Sequence, residues 1–167
     1  ETFDIQPVAS SDGGTPHMEV VAPKRNEVLY LGSEGNLRAT NLDTHVTRSI
    51  AQLPAGATGF TINSDETLIA GFYNDGLADY QSQYPTDWGQ RYFDAHRLSY
   101  LYTIDADSGA FKRIHQENNW LNHVQFSPSD PQLLMFKHEG QATDPYWLID
   151  ATGTTAIGSA PSTPRVA

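Results

Sequence analysis

The chain has 167 residues, enough to bury one hydrophobic core and too few for a second full domain. Twenty acidic against ten basic residues give a net charge of −10, which sets electrostatics against nucleic acid and against an anionic membrane surface. The absence of Cys removes disulfides, thiolate metal sites and thiol catalysis, and 13 Gly, 10 Pro, 8 Tyr and 7 Phe describe a turn-rich β protein rather than a helical bundle.

In chain order, residues 1–16 end in Ser10-Ser11-Asp12-Gly13-Gly14-Thr15-Pro16 and are expected to form an arm or linker. The start, Glu1-Thr2-Phe3-Asp4, lacks the basic and apolar segments of a signal peptide, and no apolar run reaches the length of a membrane span. A soluble bacterial protein, periplasmic or cytoplasmic and already trimmed, is the expectation. Val21 to Leu31 then reads as strand, tight turn, strand, with Pro23-Lys24-Arg25-Asn26 in the turn. Leu37 to Ile50 reads as a second hairpin around Asp43-Thr44-His45.

The first pattern returns at Ile62 to Ala70, where Asn63, Ser64 and Asp65 serve the turn, and again at Phe126 to Phe136, which lines up on Val21 to Leu31 without a gap. The second returns at Leu101 to Ile114, around Asp107-Ser108-Gly109, and at Tyr146 to Ile157, around Asp150-Ala151-Thr152-Gly153. Two hairpins make one four-stranded unit, and Pro23 and Ser64 stand 41 residues apart, a propeller-blade period. Ser64 and Pro128 stand 64 apart, and the surplus sits in an insertion over 74–96, rich in Tyr, Asp and Gln, with room for a short helix near Trp88 to His96. Residues 158–167, rich in Ser, Pro and Ala, read as a frayed tail. The expected fold is all-β: about three four-stranded antiparallel blades over 17–157, part of an incomplete or assembled propeller, since a closed ring takes about 4–8 blades.

The stretch from Arg97 to Gly140 carries the most specific motifs. These are Gln116-Glu117-Asn118-Asn119-Trp120-Leu121 with Asn122-His123, the turn at Ser127-Pro128, His138-Glu139-Gly140, and the strand Tyr146-Trp147-Leu148-Ile149-Asp150 beyond. In these residues the chain resembles the oligogalacturonate lyases, seven-bladed β-propellers that cleave short pectic oligosaccharides by β-elimination. The resemblance runs more weakly back to about His17 and corresponds to less than half of a family member. It implies a catalytic His and a manganese-binding His/Gln cluster in later blades, beyond Ala167, so no cofactor is expected within this chain. A basic residue, usually Arg, that the family places ahead of the Trp strand is missing from Gln141-Ala142-Thr143-Asp144-Pro145-Tyr146.

Elimination from a uronide needs a cation to neutralise the carboxylate, a base to take the C5 proton and a tolerable leaving group at O4. The residues that suit substrate binding are His123, at the start of an inner strand, His138 and Glu139, which a Gly140 bend would expose, and Arg91 and Arg97 in the insertion. Each also has a plainer role: a strand hydrogen bond for the histidines, solvation for the charges, and cover for a blade edge by Tyr80, Tyr84, Trp88, Tyr92 and Phe93. No catalytic residue is assigned, and no His-x-His, His-Glu-x-x-His or Gly-x-Ser-x-Gly spacing points to a metal or to serine hydrolysis. The expected partners are an acidic oligosaccharide and either the remaining blades or a second copy, with no nucleic acid and no membrane. The competing expectation is a non-catalytic binding or scaffold module of TolB or WD40 type, for a protein or glycan. On either expectation the isolated chain is inactive.

Overall fold

The computed structural model describes residues 17–140, 146–154 and 156–157; the arm over 1–16, the tail over 158–167 and the 141–145 stretch lie outside the described residues. Three four-stranded antiparallel sheets follow one another along the chain. The first holds β1 (His17–Ala22), β2 (Glu27–Leu31), β3 (Asn36–Asn41) and β4 (Thr47–Gln52). The second holds β5 (Ala57–Ile62), β6 (Leu68–Asn74), β7 (Ser99–Asp105) and β8 (Phe111–Glu117), and the third β9 (Leu121–Phe126), β10 (Leu133–His138), β11 (Tyr146–Asp150) and β12 (Ala156–Ile157). Strand order follows chain order in each. β1 lies against β5, and β5 and β6 against β9, so the first strands of successive sheets approach one another as blades around an axis do.

Burial follows from that stacking. The middle blade is covered on both sides, so β7 is buried along six of its seven residues, with Tyr100, Tyr102 and Ile104 facing the first blade and Leu101 facing the third. In β10 only alternate residues, Leu134, Phe136 and His138, are buried. One core therefore lies between blades one and two and a second between blades two and three.

The sequence repeat is reproduced down to single hydrogen bonds. In the β3–β4 turn the Asn41 side chain accepts the N–H groups of Asp43 and Thr44, and in the β7–β8 turn Asp105 accepts those of Asp107 and Ser108. The gapless alignment of the first hairpins needs one correction. Ala22 pairs with Glu27 across β1–β2 and Asn63 bonds Leu68 across β5–β6, whereas Ser127 bonds Leu133, so the third blade's turn is one residue longer and Glu27, not Val28, corresponds to Leu133. The proline-rich turn Pro128-Ser129-Asp130-Pro131 absorbs the extra residue without disturbing either strand.

Blades lock through their turns. Gly109 has φ +71, and a Cβ there would lie 2.0 Å from the carbonyl oxygen of Ile50; Gly153 has φ +79, and a Cβ would lie 2.1 Å from that of Ile114. Both turns can sit on the outer strand of the preceding blade only as glycine. The Glu66 carboxylate accepts the backbone N–H groups of Lys24 and Arg25 at 2.9 and 2.8 Å, tying the second blade to the first. Arg48 bridges the same interface, bonding both Glu27 carboxylate oxygens and the Ala106 carbonyl. Among the described residues no helix is long and apolar enough to cross a membrane.

Candidate functional site

An antiparallel blade puts its first and third turns at one end and its other connections at the opposite end. The long connection between β6 and β7 emerges at that opposite end and folds as α1 (Leu77–Gln83) and α2 (Trp88–Asp94). The links that start β5 and β9, and the end of β10, open on the same side. His123, His138, Glu139, Arg91 and Arg97 therefore all belong to one end of the molecule.

Each first strand carries one residue more than its partner across a register shift: between His17 and Val20 in β1, between Thr58 and Phe60 in β5, and opposite Met135–Lys137 in β9. A bulge of this kind turns a side chain out of the pleat. In β9 the bulged residue is His123, held at φ +52, a left-handed conformation uncommon for any residue but Gly, though Asn, Asp and His adopt it more readily than the rest. Its imidazole is exposed and sits 3.2 Å from the Glu139 carboxylate, which Lys137 Nζ also contacts at 3.0 Å. His123 and Glu139 are thus brought together from neighbouring strands.

His138 behaves differently from expectation. Gly140 does take a positive φ of +76, yet the bend leaves His138 buried, because strand alternation puts it on the Leu134 and Phe136 face. Its ring packs edge-on against Phe136 and Trp147, and Nε2 pairs with Glu117, which His115 approaches at 3.8 Å. Burial alone would raise the Glu117 pKa; the hydrogen bonds and charges of His115 and His138 outweigh it and hold it at about 2. Glu117 and Lys137 were not among the sequence candidates. Glu117 lies inside the Gln116-Glu117 motif, but only the fold shows that β8 ends beside β10.

The two arginines stand apart from this corner. Arg91 is paired with Asp87 at 2.7 Å and lies over the Tyr84 ring at 4.5 Å, on the outer side of α2. Arg97 is paired with Asp75 beside α1. The aromatic residues of the insertion act as cover: Trp88 and Tyr92 meet Trp120 edge-on at 5.5 and 5.6 Å, and Phe93 lies where a Cβ on Gly140 would be 2.5 Å away. The insertion of blade two therefore roofs the end of blade three, just behind His123 and Glu139. Among the described residues no three His, Asp or Glu side chains converge to hold a metal ion. His115, Glu117 and His138 do not fit one, since both imidazoles turn Nε2 toward the same Glu117 oxygen.

The profile of the oligogalacturonate lyases matches residues 6–157. The chain belongs to that family. It is 29% identical over 136 residues to the oligogalacturonide lyase of Pectobacterium atrosepticum, and 29% identical over the same length to the oligogalacturonate lyase of Dickeya dadantii. Each match covers 78% of this chain and 33% of the relative, so the chain spans about a third of the length of the curated relatives it matches. Its structure is similar to an oligogalacturonate lyase solved in complex with manganese, at TM-score 0.74 and 25% identity, covering 88% of this chain and 41% of that one. It also resembles the Vibrio parahaemolyticus oligogalacturonate lyase at TM-score 0.74 and 20% identity, covering 89% and 41%, a likeness of fold. TolB from Acinetobacter baumannii shares the fold at TM-score 0.61 and 14% identity, covering 90% of this chain and 33% of its own. This lyase-family chain is a set of β-propeller blades.

Proposed function

We propose that these blades supply one wall of the substrate groove of an oligogalacturonate lyase, which acts on acidic pectic oligosaccharides by β-elimination, with the catalytic His and the manganese site in blades outside these 167 residues. The observation that carries the reading is the left-handed His123, exposed on the innermost strand and braced by Glu139. Strain of this kind, costing about 1–3 kcal/mol, persists where a side chain must point to a fixed place. Lys137 and His123 bracket the Glu139 carboxylate, which answers the Lys137 charge, and the corner offers a uronate N–H donors with no net negative charge, a local exception in a chain of net charge −10. His138 and Glu117 act from behind, holding the β8–β10 corner rather than touching sugar. Arg97 reaches sugar only through the cleft beside α1, and Arg91 serves the insertion.

The test is the absorbance of the unsaturated uronide product with digalacturonate and trigalacturonate, with manganese added. The isolated chain is expected to bind trigalacturonate through His123 and to show no turnover. Robust turnover by the 167 residues alone would overturn the placement of the catalytic centre elsewhere.

A scaffold reading draws on the far face of blade three, where Leu133, Met135 and Leu148 line an apolar groove of about 240 Å³ beside Phe126 and Pro128. Met135 corresponds to Leu29 and Ala70, which are buried against the following blade. Mass measurement in solution separates the cases: oligomers would favour self-association through that face, and a stable monomer with a cooperative melt would count against it.

A further inference from the structure

One blade back from His123, at the same end, a cleft of about 610 Å³ opens between the Ala55–Gly56 link and α1. Tyr73 forms its wall, and Thr58, Asp75, Asp79, Gln81 and Arg97 stand around it. The Tyr73 ring stacks on Tyr100 at 4.6 Å with 19° between the planes, and the Arg113 guanidinium lies 4.0 Å from the Tyr100 ring centre. One face of Tyr73 is thereby backed by a rigid stack. On the cleft side Gly56, at φ +87, adds no side chain; a Cβ there would lie 3.2 Å from Tyr73 Cε2. The glycine keeps that edge of the ring open.

Charge decides what such a plate can take. Asp75 accepts the Tyr73 hydroxyl at 3.1 Å and pairs with Arg97, so the one cation of the cleft is already answered. Asp79 adds a second carboxylate. An aromatic plate ringed by acceptors suits the apolar face and the hydroxyls of a pyranose. A free uronate would bring a further negative charge to a site already one negative charge in excess. Thr58 precedes the β5 bulge as Asn122 precedes the β9 bulge at His123, so the cleft and the His123 corner occupy equivalent places on adjacent first strands.

We propose that this cleft is a subsite for an uncharged pyranose ring, a neutral or methyl-esterified residue of the oligosaccharide whose acidic part meets His123. The source of the ring rests on the function proposed above; the preference for an uncharged ring rests on the cleft alone. The test is chemical-shift titration of the full chain with galactobiose and with digalacturonate. Galactobiose is expected to move the Thr58, Tyr73 and Gln81 signals, with digalacturonate binding there about fivefold more weakly. Asp79→Asn should bring the two sugars to within about twofold at the cleft, and the exposed Gln81→Ala should weaken galactobiose without altering the melt. Unmoved cleft signals, or digalacturonate binding there as tightly as galactobiose, would overturn the subsite. The His123 and Glu139 signals report separately: uronide shifts there with a silent cleft defeat only the subsite, and a responsive cleft with silent His123 defeats only the groove assignment.

Discussion

Replacing His123 by Gly and by Ala separates backbone strain from side-chain function. At φ +52 an L-residue pays about 1–2 kcal/mol that Gly does not. The imidazole is 64% exposed, so its pairing with Glu139 returns only about 0.5 kcal/mol after solvent screening. Both variants lose that pairing, so the comparison between them isolates the strain. In an ordinary strand Gly is the poorer residue by about 0.5–1 kcal/mol. Here the order inverts: the Gly variant should be more stable than the Ala variant by about 1 kcal/mol, a Tm difference of roughly 2–4 °C for a chain of this size. Urea melts with equal m-values check the energies, and uronide titration checks function, which both variants should lose alike. An Ala variant more stable than the Gly variant by about 0.5–1 kcal/mol, as in an ordinary strand, would show that the bulge stores no strain, and would remove the physical basis for assigning His123 to substrate.

Gly109→Ala should cost about 3 kcal/mol or more in thermal unfolding, because its Cβ would lie 2.0 Å from the Ile50 carbonyl oxygen; a Tm unchanged within error would refute the blade contact. His45→Gly, at the equivalent turn of blade one and at φ +57, should be neutral or stabilising in the same assay, and clear destabilisation would show that the imidazole is itself held. Glu66→Gln should cost about 1–2 kcal/mol, since an amide can accept only one of the Lys24 and Arg25 N–H groups; a loss below about 0.5 kcal/mol would mean the pair is satisfied elsewhere. Glu117 has a folded pKa of about 2 against an ordinary 4.5, so its contribution is present above pH 4.5 and is lost as pH falls toward 2. Glu117→Gln should therefore flatten the stability profile across that window, and an unchanged acid limb would place the charge effect elsewhere.

How much of this was legible in the sequence depends on whether a feature is set by neighbours in the chain or across it. The hairpins were legible because their turns carry their own chemistry: Asn41 and Asp105 hold their turns with their own side chains. The extra residue in the Pro128 turn was not, since a gapless match of side-chain types survives a one-residue slip in a loop. His123 and Glu139 were legible as members of a motif, while their contact needed the β9–β10 register to be known. His138 was placed in the open because Gly140 signals a bend; alternation along β10 decided its burial instead. Glu117 was missed because its buried partner, His138, comes from β10 of the next blade, which only blade packing brings beside the end of β8.

The turn residues Asp43-Thr44-His45 and Asp107-Ser108-Gly109 looked interchangeable in sequence, and their hydrogen bonds are indeed the same. Their outer surroundings differ. Gly109 and Gly153 each sit on the outer strand of a preceding blade at a distance that admits no Cβ, whereas His45 carries a whole imidazole in the corresponding place. A blade packed on β3–β4 as blade one packs on β7–β8 would meet that imidazole. Self-association in which the β3–β4 turn of one copy seats on β12 of another is thereby disfavoured on steric grounds, although the apolar face of blade three invites a partner. The hairpin best suited to that face carries glycine at the left-handed position of its turn. His45→Gly, by removing that side chain, would be expected to raise dimer formation if sterics are what prevents it. Sedimentation of the two chains at equal concentration checks this, and a monomer in both would show that the face needs more than a permissive turn to be covered.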